Sequence, residues 1–271
     1  MHIIVPIKQV PQSSDVKMDP VTGTMIRSGR SSTLNPLDLY ALEAAFRLTE
    51  AHGGSVTVVT MGPDSAANIL KEALSMGAER AIHLTDRPFG GSDTYATSYV
   101  LSRAIEKIGS YDLVITGERA TDGDTAQVGP GIAAWLDLGL VTYVSSIEEA
   151  TSTHLVAERL VEEGYQRVQV ALPALLTVVK EIAIPRLPTL KGKKRAMAST
   201  IERWDAEAIE ADRSRIGLKG SPTRVVKIET PKVARSCTIY HADGDEATLA
   251  AVDHLIDLLE EQQLLKEVHH G

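Results

Sequence analysis

The sequence holds one cysteine, Cys237, in 271 residues. A single thiol excludes an internal disulfide framework and any cysteine-rich metal or iron–sulfur site, and its β-like surroundings make it a core residue. Aromatic residues are scarce too. With only two Phe and two Trp in a chain that is 43% hydrophobic, the core must be built largely of Val, Ile, Leu and Ala. No apolar run is long enough to span a bilayer, and no leader precedes the first apolar run at residues 2–7, so a cytoplasmic location is expected. Positive charge is in deficit, and a net charge of −8 argues against general nucleic-acid binding. The usual catalytic signatures are missing: there is no Gly-x-Ser-x-Gly elbow, no His-Glu-x-x-His and no Walker loop. The eight histidines are scattered except for His269-His270, a pair best read as solvated.

What is present is an alternation. Its length suits one large domain or a core domain with an extension. Apolar β-prone runs at residues 2–7, 55–61, 80–84 and 112–116 alternate with helical patterns at 36–52, 64–76 and 92–108. Asn35-Pro36 reads as an N-cap followed by the first helical residue, and Gly53-Gly54, Gly77 and Gly109 close the three helices. This order predicts an α/β fold of Rossmann-like type: parallel βαβ units, right-handed crossovers, and a site beyond the carboxyl ends of the strands. Residues 15–29 look like a hairpin outside the main sheet. Runs at 141–147, 154–160, 166–172 and 175–179 are expected to extend the sheet with antiparallel members. Residues 185–195 carry five positive charges, two prolines and one glycine, which argues against a helix and for an arm lying on a partner protein. An extended character continues over 217–231, and 243–266 reads as an amphipathic helix. The boundary is therefore set between a nucleotide-binding domain at 1–184 and an arm with a terminal helix at 185–271.

The stretch from Tyr111 to Pro130 organises the rest. An apolar strand passes through a loop of Gly, Asp and Thr into an Ala-rich helix, whose start is expected near Val128 because Pro130 fits only a first turn. Such strand–loop–helix junctions hold phosphates, since free N–H groups and the helix dipole meet there and Gly lets the backbone come close. An ordinary loop of Asx-turns would look similar. Asp122 and Asp124 would repel a phosphate, so capping or a ribose hydroxyl is the expected role of one or both. Gly90-Gly91-Ser92-Asp93-Thr94 superficially resembles a pyrophosphate loop, but an N-cap at Ser92 or Asp93 explains it better than ATP hydrolysis does. A nucleotide crevice without acid–base machinery points to a bound redox cofactor that supplies the chemistry.

Several ordered motifs give the chain a family likeness. They are Val5-Pro6-Ile7-Lys8-Gln9-Val10-Pro11, Asn35-Pro36-Leu37-Asp38, Met61-Gly62-Pro63, Gly91-Ser92-Asp93-Thr94 with Thr97, Asp122 to Pro130, Leu172-Pro173-Ala174-Leu175, and Ile216-Gly217-Leu218-Lys219-Gly220-Ser221-Pro222-Thr223. Over nearly its whole length the chain resembles the β (small) subunit of electron-transfer flavoproteins. Ordinary members of that family carry AMP in this subunit and pass electrons from acyl-CoA dehydrogenases through one FAD, held mainly by the α subunit. Electron-bifurcating members place a second FAD here, which takes hydride from NADH and divides the electrons between the α-subunit FAD and a ferredoxin or flavodoxin. The loop Asp122-Gly123-Asp124-Thr125-Ala126-Gln127-Val128-Gly129-Pro130 is similar to the bifurcating type, whereas Glu118-Arg119 departs from the Lys-Gln usual there.

The resemblance implies a site residue by residue. Pro6, Ile7 and Lys8 would line the adenine end, with Asn35 and Asp38 near it and Thr60, Met61 and Gly62 following. Gly117, Asp122, Gly123, Asp124, Thr125, Ala126, Gln127 and Val128 would surround phosphates and ribose, with Asp93, Thr94 and Thr97 toward the flavin. Arg186, Leu190, Lys191, Lys193 and Lys194 fall in the family's partner-recognition loop, with Leu190 as apolar anchor for a dehydrogenase of the acyl-CoA, enoyl-CoA or 2-hydroxy-acid type. Two other readings compete with the two-flavin one: an AMP-carrying, one-flavin carrier subunit, and a stand-alone adenine-nucleotide-binding protein.

Overall fold

The computed structural model describes residues 1–12, 32–224, 226, 239–241, 243–262 and 264. The expected hairpin at 15–29, residues 225 and 227–231 of the extended stretch, Cys237 and the terminal histidine pair lie outside them. Two compact units are formed, Met1–Lys227 and Ile228–Gly271. In the second, α7 (Asp245–Glu261) is the amphipathic helix anticipated from the spacing of Val252, Leu255, Ile256 and Leu259.

Strand β1 (His2–Pro6) leads to a small antiparallel pair, β2 (Gln9–Pro11) with β3 (Ser32–Leu34), and then to α1 (Pro36–His52). The alternation continues through β4 (Ser55–Met61), α2 (Ala67–Met76), β5 (Arg80–Leu84), α3 (Thr94–Ile108), β6 (Leu113–Gly117) and α4 (Val128–Leu136). Three long strands follow, β7 (Gly139–Ala150), β8 (His154–Val161) and β9 (Gly164–Ala171), then β10 (Ala174–Val178), α5 (Leu190–Ala198), β11 (Ile201–Trp204) and the single turn α6 (Gly217–Gly220).

Nine strands form one sheet in the order β11-β5-β4-β1-β6-β10-β7-β8-β9. Every neighbouring pair from β11 to β7 is parallel, and only β7-β8 and β8-β9 are antiparallel. Period-two alternation divides the core between the two faces of this sheet. Ile3, Val5, Val56, Val58, Leu113 and Ile115 meet α1, α2 and α5 on one side, while Ile4, Val59, Ile82, Val114 and Leu175 meet α3 and α4 on the other. The largest fully buried side chains are all Ile and Leu, so the scarcity of Phe and Trp is met as anticipated.

Two expectations need correction, and one strand had no counterpart among them. Strand β10 is a parallel member inserted between β6 and β7, because all five of its residues are buried and such a strand belongs inside a sheet covered on both faces. Residues 190–198 form a helix despite their composition. Both prolines precede α5, Thr189 caps it by accepting from the Gly192 N–H at 2.9 Å, and Gly192 lets it approach α2, where an added Cβ would stand 2.0 Å from the Ser75 carbonyl oxygen. Strand β11 was not anticipated; only four residues long, it pairs in parallel with β5 and extends the sheet by one. Residues 190–220 thus belong to the first compact unit.

Candidate functional site

Chain order reverses at β1. Strand β4, next in the main sheet, lies on one side of β1, and β6 lies on the other. The carboxyl ends of β1 and β6 therefore flank a topological switch point, where open α/β sheets leave a crevice. Lys8 follows β1, and the loop at residues 118–127 follows β6.

Polar contacts tie the crevice walls together. Asn35 Nδ2 donates to Asp38 Oδ1 and to the Arg119 carbonyl, each at 2.9 Å, and Asn35 Oδ1 accepts from the Thr121 N–H at 3.3 Å. Asp38 Oδ2 accepts from the Lys8 N–H at 2.7 Å. One Asn–Asp pair thus joins the end of β1, the start of α1 and the loop after β6. Asn35 is only 1% exposed and Asp38 7%, so both form the floor of the crevice and direct their polar atoms to protein groups. Asn35 occupies the N-cap position of α1 as expected but makes no side-chain cap bond, because its amide is engaged by that loop. Burial pushes the Asp38 carboxyl up to about 7, opposed by the bonds from Lys8, Asn35 and Gly117.

The mouth carries most of the charge. Lys8 Nζ lies 2.6 Å from Asp122 Oδ1, bridging the β1 and β6 sides. Arg119 pairs with both Glu118 and Asp124, so the positive charge beside Glu118 is held within the loop itself. Asp124 and Ala126 have φ of 53° and 55°, a left-handed conformation that costs non-glycine residues on the order of 1–2 kcal/mol and is characteristic of functional loops. Residues 121–125 are exposed.

At the loop's end, α4 starts at Val128 as expected, with Gln127 supplying no side-chain cap. A Cβ on Gly129 would stand 2.7 Å from Thr177 Cγ2 and 2.9 Å from Thr116 Oγ1, so glycine allows this first turn to press onto β6 and β10. Thr116 Oγ1 is buried with no hydrogen-bond partner among the described residues. Gly123 differs: its φ is ordinary, and the nearest described atom to an added Cβ is Lys8 Nζ at 3.9 Å. Neither conformation nor packing demands glycine there.

Helix α3 supplies the third wall. Asp93, one of the two candidate caps, accepts from the Ala96 N–H at 3.0 Å. Its other oxygen accepts from the Thr223 N–H at 2.9 Å and the Thr223 hydroxyl at 2.6 Å. Burial works to raise the Asp93 pKa, but these donors outweigh it and hold the carboxylate low. Thr94 Oγ1 donates to Thr125 Oγ1 at 3.3 Å, joining α3 to the loop after β6, and Thr97 lies half-buried one turn further on. Pro6, Ile7 and Gly117 are buried at the strand ends, while Met61 and Gly62 are half-buried beside them. Thr116 and Gly129 were not anticipated as site residues; inside apolar and Ala-rich runs, nothing in their spacing marks them.

The arm residues divide. Leu190 is 76% exposed, and Lys191, Lys193 and Lys194 are exposed with it. Arg186 turns inward: its guanidinium reaches Glu43 at 2.8 Å, pairs with Glu50, and sits 5.0 Å from the centre of the Phe46 ring. Among the described residues, no group of acidic, His or Cys side chains is arranged to hold a metal ion, and no helix is long and apolar enough to cross a membrane.

A family model described as the electron transfer flavoprotein domain matches residues 22–209. The chain is 48% identical over 256 residues to the electron transfer flavoprotein subunit beta of Thermoanaerobacterium thermosaccharolyticum, covering 94% of this chain and 98% of that protein. It is 41% identical over 272 residues to the protein of the same description from Megasphaera elsdenii, covering 98% and 100%. To Protein FixA of Sinorhizobium fredii it is 47% identical over 238 residues, covering 85% and 84%.

Proposed function

The chain belongs to the electron transfer flavoprotein family, among its beta subunits, and we propose that it forms a heterodimer with an α subunit and holds a second FAD. That flavin, when bound, would accept hydride from NADH and divide the electrons between the α-subunit FAD and a ferredoxin or flavodoxin.

One observation carries the FAD reading. At the switch point, the orphaned Thr116 hydroxyl lies against the first turn of α4, and Gly123 leaves its surroundings open. A diphosphate fits such a place, because it brings acceptors to a hydroxyl and to free N–H groups at a helix start and needs a backbone without a side chain. In this reading Thr116, Gly123 and the N–H groups of residues 128–129 bind the phosphates. Lys8 supplies countercharge, and the Asn35–Asp38 pair keeps the walls in register. Thr94 and Thr97 orient the remainder of the cofactor along α3. The same crevice would take AMP in a one-flavin carrier, so the nucleotide count separates the two. Co-expression with the neighbouring α subunit should give two FAD and no AMP per heterodimer, with direct reduction by NADH. One FAD plus one AMP, with no reaction toward NADH, would overturn the two-flavin assignment.

A further inference from the structure

We propose that His83 is a positioning residue of the nucleotide site, holding the Gly62 turn that forms the wall beside β1. The proposal rests on the nucleotide-binding reading above and deepens it.

His83 is fully buried near the end of β5, in a run otherwise made of Ala81, Ile82 and Leu84. An imidazole in such a place costs desolvation that an aliphatic side chain would avoid, so its retention needs a compensating bond. That bond goes to Gly62, whose carbonyl oxygen lies 3.1 Å from His83 Nε2. A carbonyl only accepts, so Nε2 carries the proton and Nδ1 is bare. Nδ1 has no partner among the described residues, and neither has the hydroxyl of Thr60, its cross-strand neighbour. Burial lowers the imidazole pKa and Arg203 adds to this, while the Gly62 and Pro63 backbone bonds and Asp64 oppose it; the net shift is downward, toward the neutral ring.

Gly62 is fixed at both polar groups by consecutive residues of β5. Its N–H donates to the Leu84 carbonyl at 3.0 Å, and its carbonyl receives the His83 proton. It directly follows β4, the strand paired with β1 along its whole length. Without the imidazole, the Gly62 carbonyl loses its donor, and Gly62 itself is held only through its N–H, while the Pro63 carbonyl keeps the Ala66 N–H at 2.8 Å. The histidine therefore acts on the nucleotide through Gly62, without contact of its own.

The test uses the α/β heterodimer, stripped of its β-site nucleotide and titrated with FAD and, separately, AMP. His83→Leu should weaken the tighter of the two by about tenfold, as expected for losing one buried hydrogen bond, while the α-subunit FAD content stays unchanged. His83→Gln places an amide donor near the Nε2 position and should restore affinity to within about threefold. If His83→Leu does not fold, His83→Asn replaces it; its shorter amide falls short of Gly62, and the same tenfold loss is expected. Wild-type affinity in the Leu or Asn variant overturns the proposal, as does a Gln variant that folds like wild type yet binds as weakly as Leu. A wild-type heterodimer that takes up neither nucleotide overturns the underlying site reading as well, and the two failures are thereby told apart.

Discussion

At the scale of single residues, glycines and one carboxyl carry the sharpest consequences. Gly123 has an ordinary φ and free space, whereas Gly129 is hemmed in by Thr116 and Thr177. Replacing Gly129 tests packing; replacing Gly123 tests the ligand. Gly123→Leu should leave the folded chain and the α-subunit FAD intact while abolishing nucleotide binding in the β site, as read by cofactor content after gel filtration. Retention of both cofactors would remove the loop from the site. Asp38 offers a second test. Its pKa rises from 3.8 to about 7 on folding, so the folded state binds this proton more tightly than the unfolded state does. Stability gained by protonation is then complete below 3.8 and is lost as the pH rises through about 7. Between pH 5 and 8.5 the wild type should lose on the order of 2–3 kcal/mol relative to Asp38→Asn, measured by urea unfolding at both pH values. Parallel curves for the two proteins would show that Asp38 does not titrate in this range.

At the scale of elements, α5 shows what composition hides. Two prolines, a glycine and a run of cations argue against a helix, yet the prolines stop short of it and the glycine is what lets it dock on α2. Gly192→Ala should therefore destabilise the protein by about 1–3 kcal/mol through overpacking, rather than stabilise it as Gly→Ala does in an exposed helix, and thermal unfolding decides the sign. A raised midpoint would mean that α5 does not press on Ser75. The βαβ units and the start of α4 were legible because period, caps and closing glycines are local signals. The insertion of β10 between β6 and β7, the short β11, and the roles of Thr116 and His83 were not. Each depends on which distant strand lies alongside, and an apolar run of five residues reads the same in either orientation. The loop after β6 was legible as a connection between strand and helix, whereas the bonds of the buried Asn35–Asp38 pair beneath it were not.

At the scale of the whole molecule, the arm has two jobs that its sequence runs together. Arg186 clamps the chain to α1 through Glu43, Glu50 and Phe46, whereas Leu190 and the lysines after it face outward from a helix anchored by Thr189 and Gly192. An apolar residue held out on a rigid support suits insertion into a partner, and burying one leucine contributes roughly 1.5–3 kcal/mol. With a flavin dehydrogenase as the proposed partner, Leu190→Ala is expected to raise the KM for it by about tenfold or more, with cofactor content and unfolding midpoint unchanged. Arg186→Ala should do the reverse, lowering the midpoint because the buried Glu43 is left with Arg47 as its one remaining cationic partner among the described residues, while coupling suffers only as far as the arm loosens. Charge reversal at Lys191, Lys193 and Lys194 should act through association rate and fade at high salt, since exposed charges steer more than they bind. Stopped-flow electron transfer over a range of ionic strength, run on all three variants, separates anchor, clamp and steering. Unchanged transfer in Leu190→Ala would move the docking surface away from α5 altogether.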